Sequence, residues 1–321
     1  MTPMQEKIID FLKRKQGYVS GEEIAERLKI SRQGLWKHIQ ELKDSGYEIS
    51  AVPHLGYKLD SSPDRLFAFE VTSDLNTKTI GRKILYFDAL GSTMDEAMKQ
   101  GFGGAASGTL IIAEQQAKGR GRLGRAWASP KYKGIYASLI LRPKLPPAQA
   151  SVLTLLAAVS IVEAVKEACG QELQIKWPND ILCSGEKLGG ILTELVASMD
   201  EINFVVIGFG INVNNDAKSL VSGATSLYRQ QKQNTSRVAL LQEILRKVEK
   251  NYLALEAKGP EAIIQKWRGH NITLGKRVKV YCQHKAIEGQ ALDIDADGGL
   301  LVRKDSGISE KIMAGDVTHC R

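Results

Sequence analysis

The sequence predicts an α+β chain in three segments: an N-terminal winged helix-turn-helix, a central mixed or antiparallel sheet covered by helices, and a small C-terminal SH3-like barrel. Three observations carry this reading. Apolar residues recur at helical spacing through the first sixty positions, β-like and helical runs alternate from Asp64 to Arg268, and short strands broken by tight turns fill the last fifty residues. At 321 residues the chain is too long for one ordinary core. The expected domains are 1–62, 63–270 and 271–321.

Met4 to Lys15 places Ile8, Phe11 and Leu12 at helical spacing, and Ser20 with Glu23 predicts a capping box before a helix bearing Ile24, Ala25 and Leu28. The brief turn Lys29-Ile30-Ser31 then leads into a helix with Leu35, Ile39 and Leu42 inward. Its outward side presents Arg32, Gln33, Lys37 and His38, side chains suited to phosphates and base edges of DNA. Trp36 and Tyr57 are expected in the core. Tyr47-Glu48-Ile49 and Gly56-Tyr57-Lys58-Leu59 flank Pro53-His54 as a wing, and Ser61-Ser62-Pro63-Asp64 reads as a linker. A helical interaction module without DNA binding is the plainer alternative.

Central strands are expected at Ile84–Phe87, Leu110–Ala113, Ile135–Leu141, Leu173–Lys176, Ile191–Val196 and Phe204–Ile207. Helices are expected at Thr93–Gln100, Ala148–Cys169 and Arg237–Ala257. Hairpin signals at Ser184-Gly185-Glu186 and Ser198-Met199-Asp200 favour antiparallel pairing over a doubly wound sheet. Further on, Arg277-Val278-Lys279-Val280-Tyr281 alternates, and Asp297-Gly298-Gly299 turns the chain before Leu300-Leu301-Val302.

With 43% hydrophobic and 25% charged residues the composition is that of a soluble globular protein, and no apolar run is expected to span a bilayer. Val152 to Val165, interrupted by Ser160 and Glu163, reads as a buried helix, and a cytoplasmic location follows by default. Cys169, Cys183, Cys282 and Cys320 lack metal-ligand or disulfide-framework spacing and are expected to be reduced. A net charge of +8 favours nucleic acid, nucleotide or acidic-protein partners without choosing among them.

The most specific chemistry lies in Gly119-Arg120-Gly121-Arg122-Leu123-Gly124-Arg125, directly after a β-like run. Glycines let the backbone approach a ligand, and guanidinium forks suit phosphate or carboxylate, so the loop is built to wrap an anion. A solvated turn or a nucleic-acid arm is the plainer alternative. Lys176-Trp177-Pro178-Asn179-Asp180, Gly185-Glu186-Lys187-Leu188-Gly189-Gly190-Ile191-Leu192 and Gly208-Phe209-Gly210-Ile211-Asn212-Val213 follow in order.

Together these motifs resemble the biotin-protein ligases, with the strongest likeness from Arg82 to Val213. The first sixty residues resemble the winged helix of those members that also repress transcription. The resemblance implies an ATP-dependent ligase that forms biotinyl-5′-AMP and transfers biotin to a lysine of a carboxylase carrier protein, and that represses biotin genes at operator DNA as a homodimer, with no membrane partner. It implies that Ser92, Thr93, Gln116, Arg120, Gly121, Arg122 and Lys187 contact biotin, while Arg120, Arg122, Trp127, Lys176, Asn179 and Asn212 serve ATP and the adenylate.

Forming the acyl-adenylate brings a carboxylate against a phosphate, so the site needs fixed cations. Lys187 and Arg122 suit the catalytic role, and Asp180 suits Mg²⁺ bridging phosphate oxygens. Ser92 and Thr93 also fall where a helix N-cap would, Trp177 suits either a core or adenine, and Lys187 suits a solvated hairpin. Met94 stands where many members carry Asn. A lipoate-type ligase and a ligand-sensing repressor without catalysis are the rival functions.

Overall fold

A computed structural model describes residues 1–282 and 285–319. It divides into two compact units, Met1–Phe69 and Glu70–Arg321.

The first unit contains α1 (Pro3–Lys15), α2 (Gly21–Leu28), α3 (Arg32–Asp44), β1 (Glu48–Val52) and β2 (Gly56–Ser61). Each helix starts at a hydroxyl: Thr2, Ser20 and Ser31 accept hydrogen bonds from the backbone N–H of Gln5, Glu23 and Gly34. The reciprocal capping box forms at Thr2/Gln5. At Ser20 only the hydroxyl half of the expected box is seen, because the Glu23 carboxylate pairs with Lys15 at 2.9 Å. Lys29 adopts the left-handed conformation and ends α2, which makes the turn of the helix-turn-helix. Ile8, Ile9, Leu12, Ile24, Leu35, Ile39 and Leu42 form its core. The wing β1–β2 is antiparallel, and Tyr57 exchanges two 2.8 Å backbone bonds with Val19, which docks the wing on the chain between α1 and α2.

Trp36 is 58% exposed, contrary to expectation. Leu35, Ile39 and Leu42 consume the inward stripe of α3, so the residue after Leu35 turns outward with Arg32, Gln33 and Lys37.

Next along the chain come α4 (Ala68–Thr72), β3 (Ile84–Phe87), α5 (Thr93–Phe102), β4 (Leu110–Ala113), β5 (Gly134–Leu141), α6 (Ala150–Cys169), β6 (Gln174–Lys176), β7 (Asp180–Cys183), β8 (Glu186–Ala197), β9 (Ile202–Asn212), α7 (Leu227–Gln231), α8 (Arg237–Lys258) and α9 (Glu261–His270). The strands form a seven-stranded sheet in the order β3-β4-β5-β9-β8-β7-β6. Only β3–β4 is parallel, because α5 carries the chain back between them.

Successive side chains of β8 face opposite sides of this sheet. Leu192 packs on the cluster of Met94, Ala97, Ile140 and Phe204 beneath α5, whereas the Thr193 hydroxyl lies 2.7 Å from that of Thr154 on α6. The stretch Pro147–Cys169 is long and apolar enough to cross a membrane, which the sequence reading did not anticipate, but 72% of its most apolar window is buried inside the protein. It is the core helix of the sheet's second face, as expected of Val152–Val165.

β10 (Arg277–Cys282), β11 (Lys285–Ile294), β12 (Leu300–Arg303), β13 (Ser309–Ile312) and β14 (Asp316–His319) form an antiparallel five-stranded sheet in the order β13-β12-β11-β10-β14. The alternation at Arg277–Tyr281 buries Val278 and Val280. Cys169, Cys183 and Cys282 are free thiols, and Cys320 lies outside the described residues.

Candidate active site

A cavity of about 400 Å³ opens over the sheet face that carries α5. Its floor is cut from glycine. A Cβ on Gly210 would fall 2.4 Å from the Trp127 indole, and one on Gly208 would fall 2.4 Å from Met94 Sδ, so these positions admit an indole and a thioether where any other residue would collide.

One end is organised by Gln116, just beyond β4. Its Oε1 accepts from Thr93 N at 2.8 Å and Thr93 Oγ1 at 3.0 Å, and its Nε2 donates to Ser129 Oγ at 2.9 Å. Ser138 on β5 completes the chain by donating to Thr93 Oγ1. Ser92 occupies the N-cap position of α5 without making a cap bond, and its buried hydroxyl has no partner among the described residues. Contrary to expectation, Ser92 is not among the residues that line the cavity, which begins at Thr93. Trp127 Nε1 is likewise buried and unpaired. Such groups are costly to leave unsatisfied, and of the two only Trp127 lines the cavity.

Charged groups gather at the other end. Lys187 Nζ lies 2.5 Å from Asp180 Oδ1 and 5.8 Å from the centre of the Trp127 ring. Arg122 Nη1 donates to Asn179 Oδ1 at 3.1 Å and to Gly315 O at 3.2 Å. Burial pushes the Arg122 pKa below its ordinary value, with Asp316 and Asp180 opposing that shift. Arg125 also pairs with Asp316. Arg120 is held by Asp95 and Glu194, each at 2.9 Å. Lys176 lines the cavity without an ion pair among the described residues.

Thr93, Gln116, Arg120, Gly121, Arg122, Trp127, Lys176, Asn179, Asp180 and Lys187 thus meet around one cavity. Asn212 does not line it: this side chain is buried and donates to Thr225 O at 3.0 Å. Trp177 lines the cavity but is 1% exposed, with its indole N–H on Gly298 O, so packing dominates its position. Asp95, Glu194, Ser129 and Asp316 were missed, since each stands outside the motifs. Asp316 lies nearly two hundred residues from the loop it meets and had no readable signal.

In the first unit Arg32, Gln33 and Lys37 are exposed on α3, with Arg32 2.7 Å from Glu22. His38 is half-buried against Glu41 at 3.3 Å.

Comparison with known proteins adds a second line. The profile of the Biotin/lipoate A/B protein ligase family matches residues 86–212, an HTH domain matches 4–58, and the Biotin protein ligase C terminal domain matches 273–319. The bifunctional ligase/repressor BirA of Bacillus subtilis is 39% identical over 94% of this chain and 93% of its own length. The chain belongs to the biotin protein ligase family. Its Escherichia coli relative, also a bifunctional ligase/repressor BirA, is 31% identical over 93% of this chain and 92% of its own. Within this family the biotin protein ligase of Aquifex aeolicus, solved with biotin and ATP, superposes with a TM-score of 0.64 at 27% identity, covering 75% of this chain and 99% of that one.

Proposed function

We propose that the chain is an ATP-dependent biotin-protein ligase and a biotin-responsive repressor. The observation that carries the enzymatic half is the make-up of the cavity: the hydrogen-bonded Thr93 and Gln116 at one end, Lys187, Arg122 and Lys176 at the other.

Biotin lies with its ureido ring toward Thr93 and Gln116 and its carboxylate toward Lys187. A carboxylate oxygen attacks the α-phosphorus of ATP, a new P–O bond forms, and the α–β anhydride bond breaks to release pyrophosphate. Lys187 and Arg122 offset the negative charge that accumulates at phosphorus, where prearranged cations act most strongly. The acceptor lysine amine then attacks the acyl carbon, AMP leaves and the amine loses a proton. No protein nucleophile is needed. Trp127 and Lys176 serve the nucleotide, Asn179 holds Arg122 in place, and Asn212 acts by fixing the strand end at Thr225.

The donor set does not fit a resident metal. No three acidic, histidine or cysteine side chains gather among the described residues, and Asp180 is already paired with Lys187. Magnesium therefore belongs to the substrate, MgATP, and Asp180, which lines the cavity, is the carboxylate that would help to hold it.

The regulatory half rests on the exposed Arg32, Gln33 and Lys37 of α3, which enter a major groove with His38 at the margin. Segments 1–62, 63–270 and 271–321 carry DNA binding, ligation and the covering sheet. A single helix-turn-helix reads few bases, so a homodimer on a two-fold operator is the working species, in the cytoplasm where carrier protein and DNA are available. The test is mass spectrometry of a biotin carboxyl carrier domain incubated with protein, biotin and ATP. A single biotinyl adduct on one lysine supports the reading, and an unmodified carrier overturns it.

A further inference from the structure

The segment from Glu114 to Gly134 carries Gln116, the Gly119–Arg125 loop, Trp127 and Ser129, and both of its ends are tied to one guanidinium. Arg237, at the start of α8, is wholly buried and donates from Nη1 to Glu114 Oε2 at 2.6 Å and to Gly134 O at 3.1 Å. The neck of the segment is drawn closed by Tyr132 N on Glu114 O at 3.3 Å and by Tyr136 Oη on Pro130 O at 3.1 Å. Neither Glu114 nor Arg237 lines the cavity.

Stability alone does not call for this pair. A cation in the first turn of α8 opposes the helix dipole, and the turn is already capped by Ser236 accepting from Ala239 N. Two charges at 0% exposure cost more desolvation than an apolar pair of similar volume. What the pair does provide is a fixed distance between the two ends of the ligand-binding segment, with Glu114 only two residues before Gln116.

We propose that Arg237 and Glu114 are positioning residues for biotin: by clamping the neck they set Gln116 against Thr93 and Ser129 before the ligand arrives. This rests on the ligase reading above. A misplaced ligand-reading group weakens binding with little change in the charge chemistry at the cavity's other end, so the pair governs biotin affinity more than turnover.

The experiment compares the full-length chain with the double variant Arg237→Met/Glu114→Met and with Arg237→Lys, by titration calorimetry with biotin, steady-state kinetics and thermal melting. The double variant is expected to melt close to wild type, with biotin Kd and KM raised about tenfold and kcat changed much less. Arg237→Lys keeps the charge but lacks the guanidinium fork, and a smaller rise in biotin Kd is expected. A folded double variant with wild-type biotin Kd overturns the proposal. Should the double variant not fold, an unchanged Kd in Arg237→Lys overturns it. Failure of the wild-type chain itself to bind biotin would instead overturn the ligase reading.

Discussion

Lys187 and Asp180 face each other across the β7–β8 hairpin, Nζ to Oδ1 at 2.5 Å, with the Lys187 side chain still 38% exposed. Asp180 thus orients an ammonium that remains open to an incoming phosphate. Lys187→Ala is expected to slow adenylate formation about 10²- to 10³-fold, as removal of a transition-state donor does, while the melting temperature changes little. Near-normal exchange of pyrophosphate into ATP by this variant would reduce Lys187 to a hairpin lysine.

Arg122 differs because it is mostly buried and joins three parts of the chain: its own loop, Asn179, and Gly315 just before β14. With Arg122→Ala, the loop loses its tie on one side of the intermediate. Biotinyl-adenylate is then expected to dissociate about tenfold faster, the worth of one hydrogen bond from a charged group. A chase experiment with labelled adenylate measures this, and unchanged release would mean that the loop does not close over it.

Away from the site, the Glu249 carboxylate on α8 accepts from the backbone N–H groups of Lys78, Thr79 and Ile80 at 2.7, 2.7 and 2.9 Å. Burial works to raise its pKa, but the three amides together with Lys78 hold it below the ordinary glutamate value. With the folded pKa below the unfolded one, the stabilisation is fully present above the unfolded value and is lost as pH falls through the folded one. Glu249→Gln is expected to cost about 1–3 kcal/mol at neutral pH. Denaturant melts should show the gap between variant and wild type closing below about pH 4.

The DNA-binding half predicts linkage. If biotinyl-adenylate favours the dimer, biotin with ATP tightens operator binding by the same free energy. Trp36→Ala is expected to weaken that binding without affecting biotin transfer, since Trp36 stands exposed beside Arg32, Gln33 and Lys37. Gel-shift titrations on the organism's own biotin-gene promoters check both points. Equal affinity with and without ligands would make the first unit a constitutive binder.

Much of this was readable because local signals agreed with the fold. β3 and β4 fall at the expected residues, since their apolar runs are bounded by turns, and α3 was placed by Leu35, Ile39 and Leu42. β7 was overlooked because Asp180–Cys183 is short and follows directly on the Lys176–Asp180 motif. Likewise α9 went unread, its Ile263, Ile264 and Trp267 lying behind Gly259-Pro260 among charged residues. Trp36 was misplaced because bulk suggested burial while helix phase dictated exposure. In the site, the motifs located the cations and Asp180, but not the carboxylates that hold the arginines, because Asp95, Glu194 and Asp316 come from separate elements that only the fold brings together.

The most direct measurement is ATP–pyrophosphate exchange by the full-length chain, run with biotin and with lipoate side by side in the absence of acceptor protein. Exchange that depends on biotin and is not supported by lipoate is the predicted result. Exchange with lipoate in place of biotin would assign the cavity to the wrong carboxylate, and no exchange with either would leave a binding protein where a ligase is claimed.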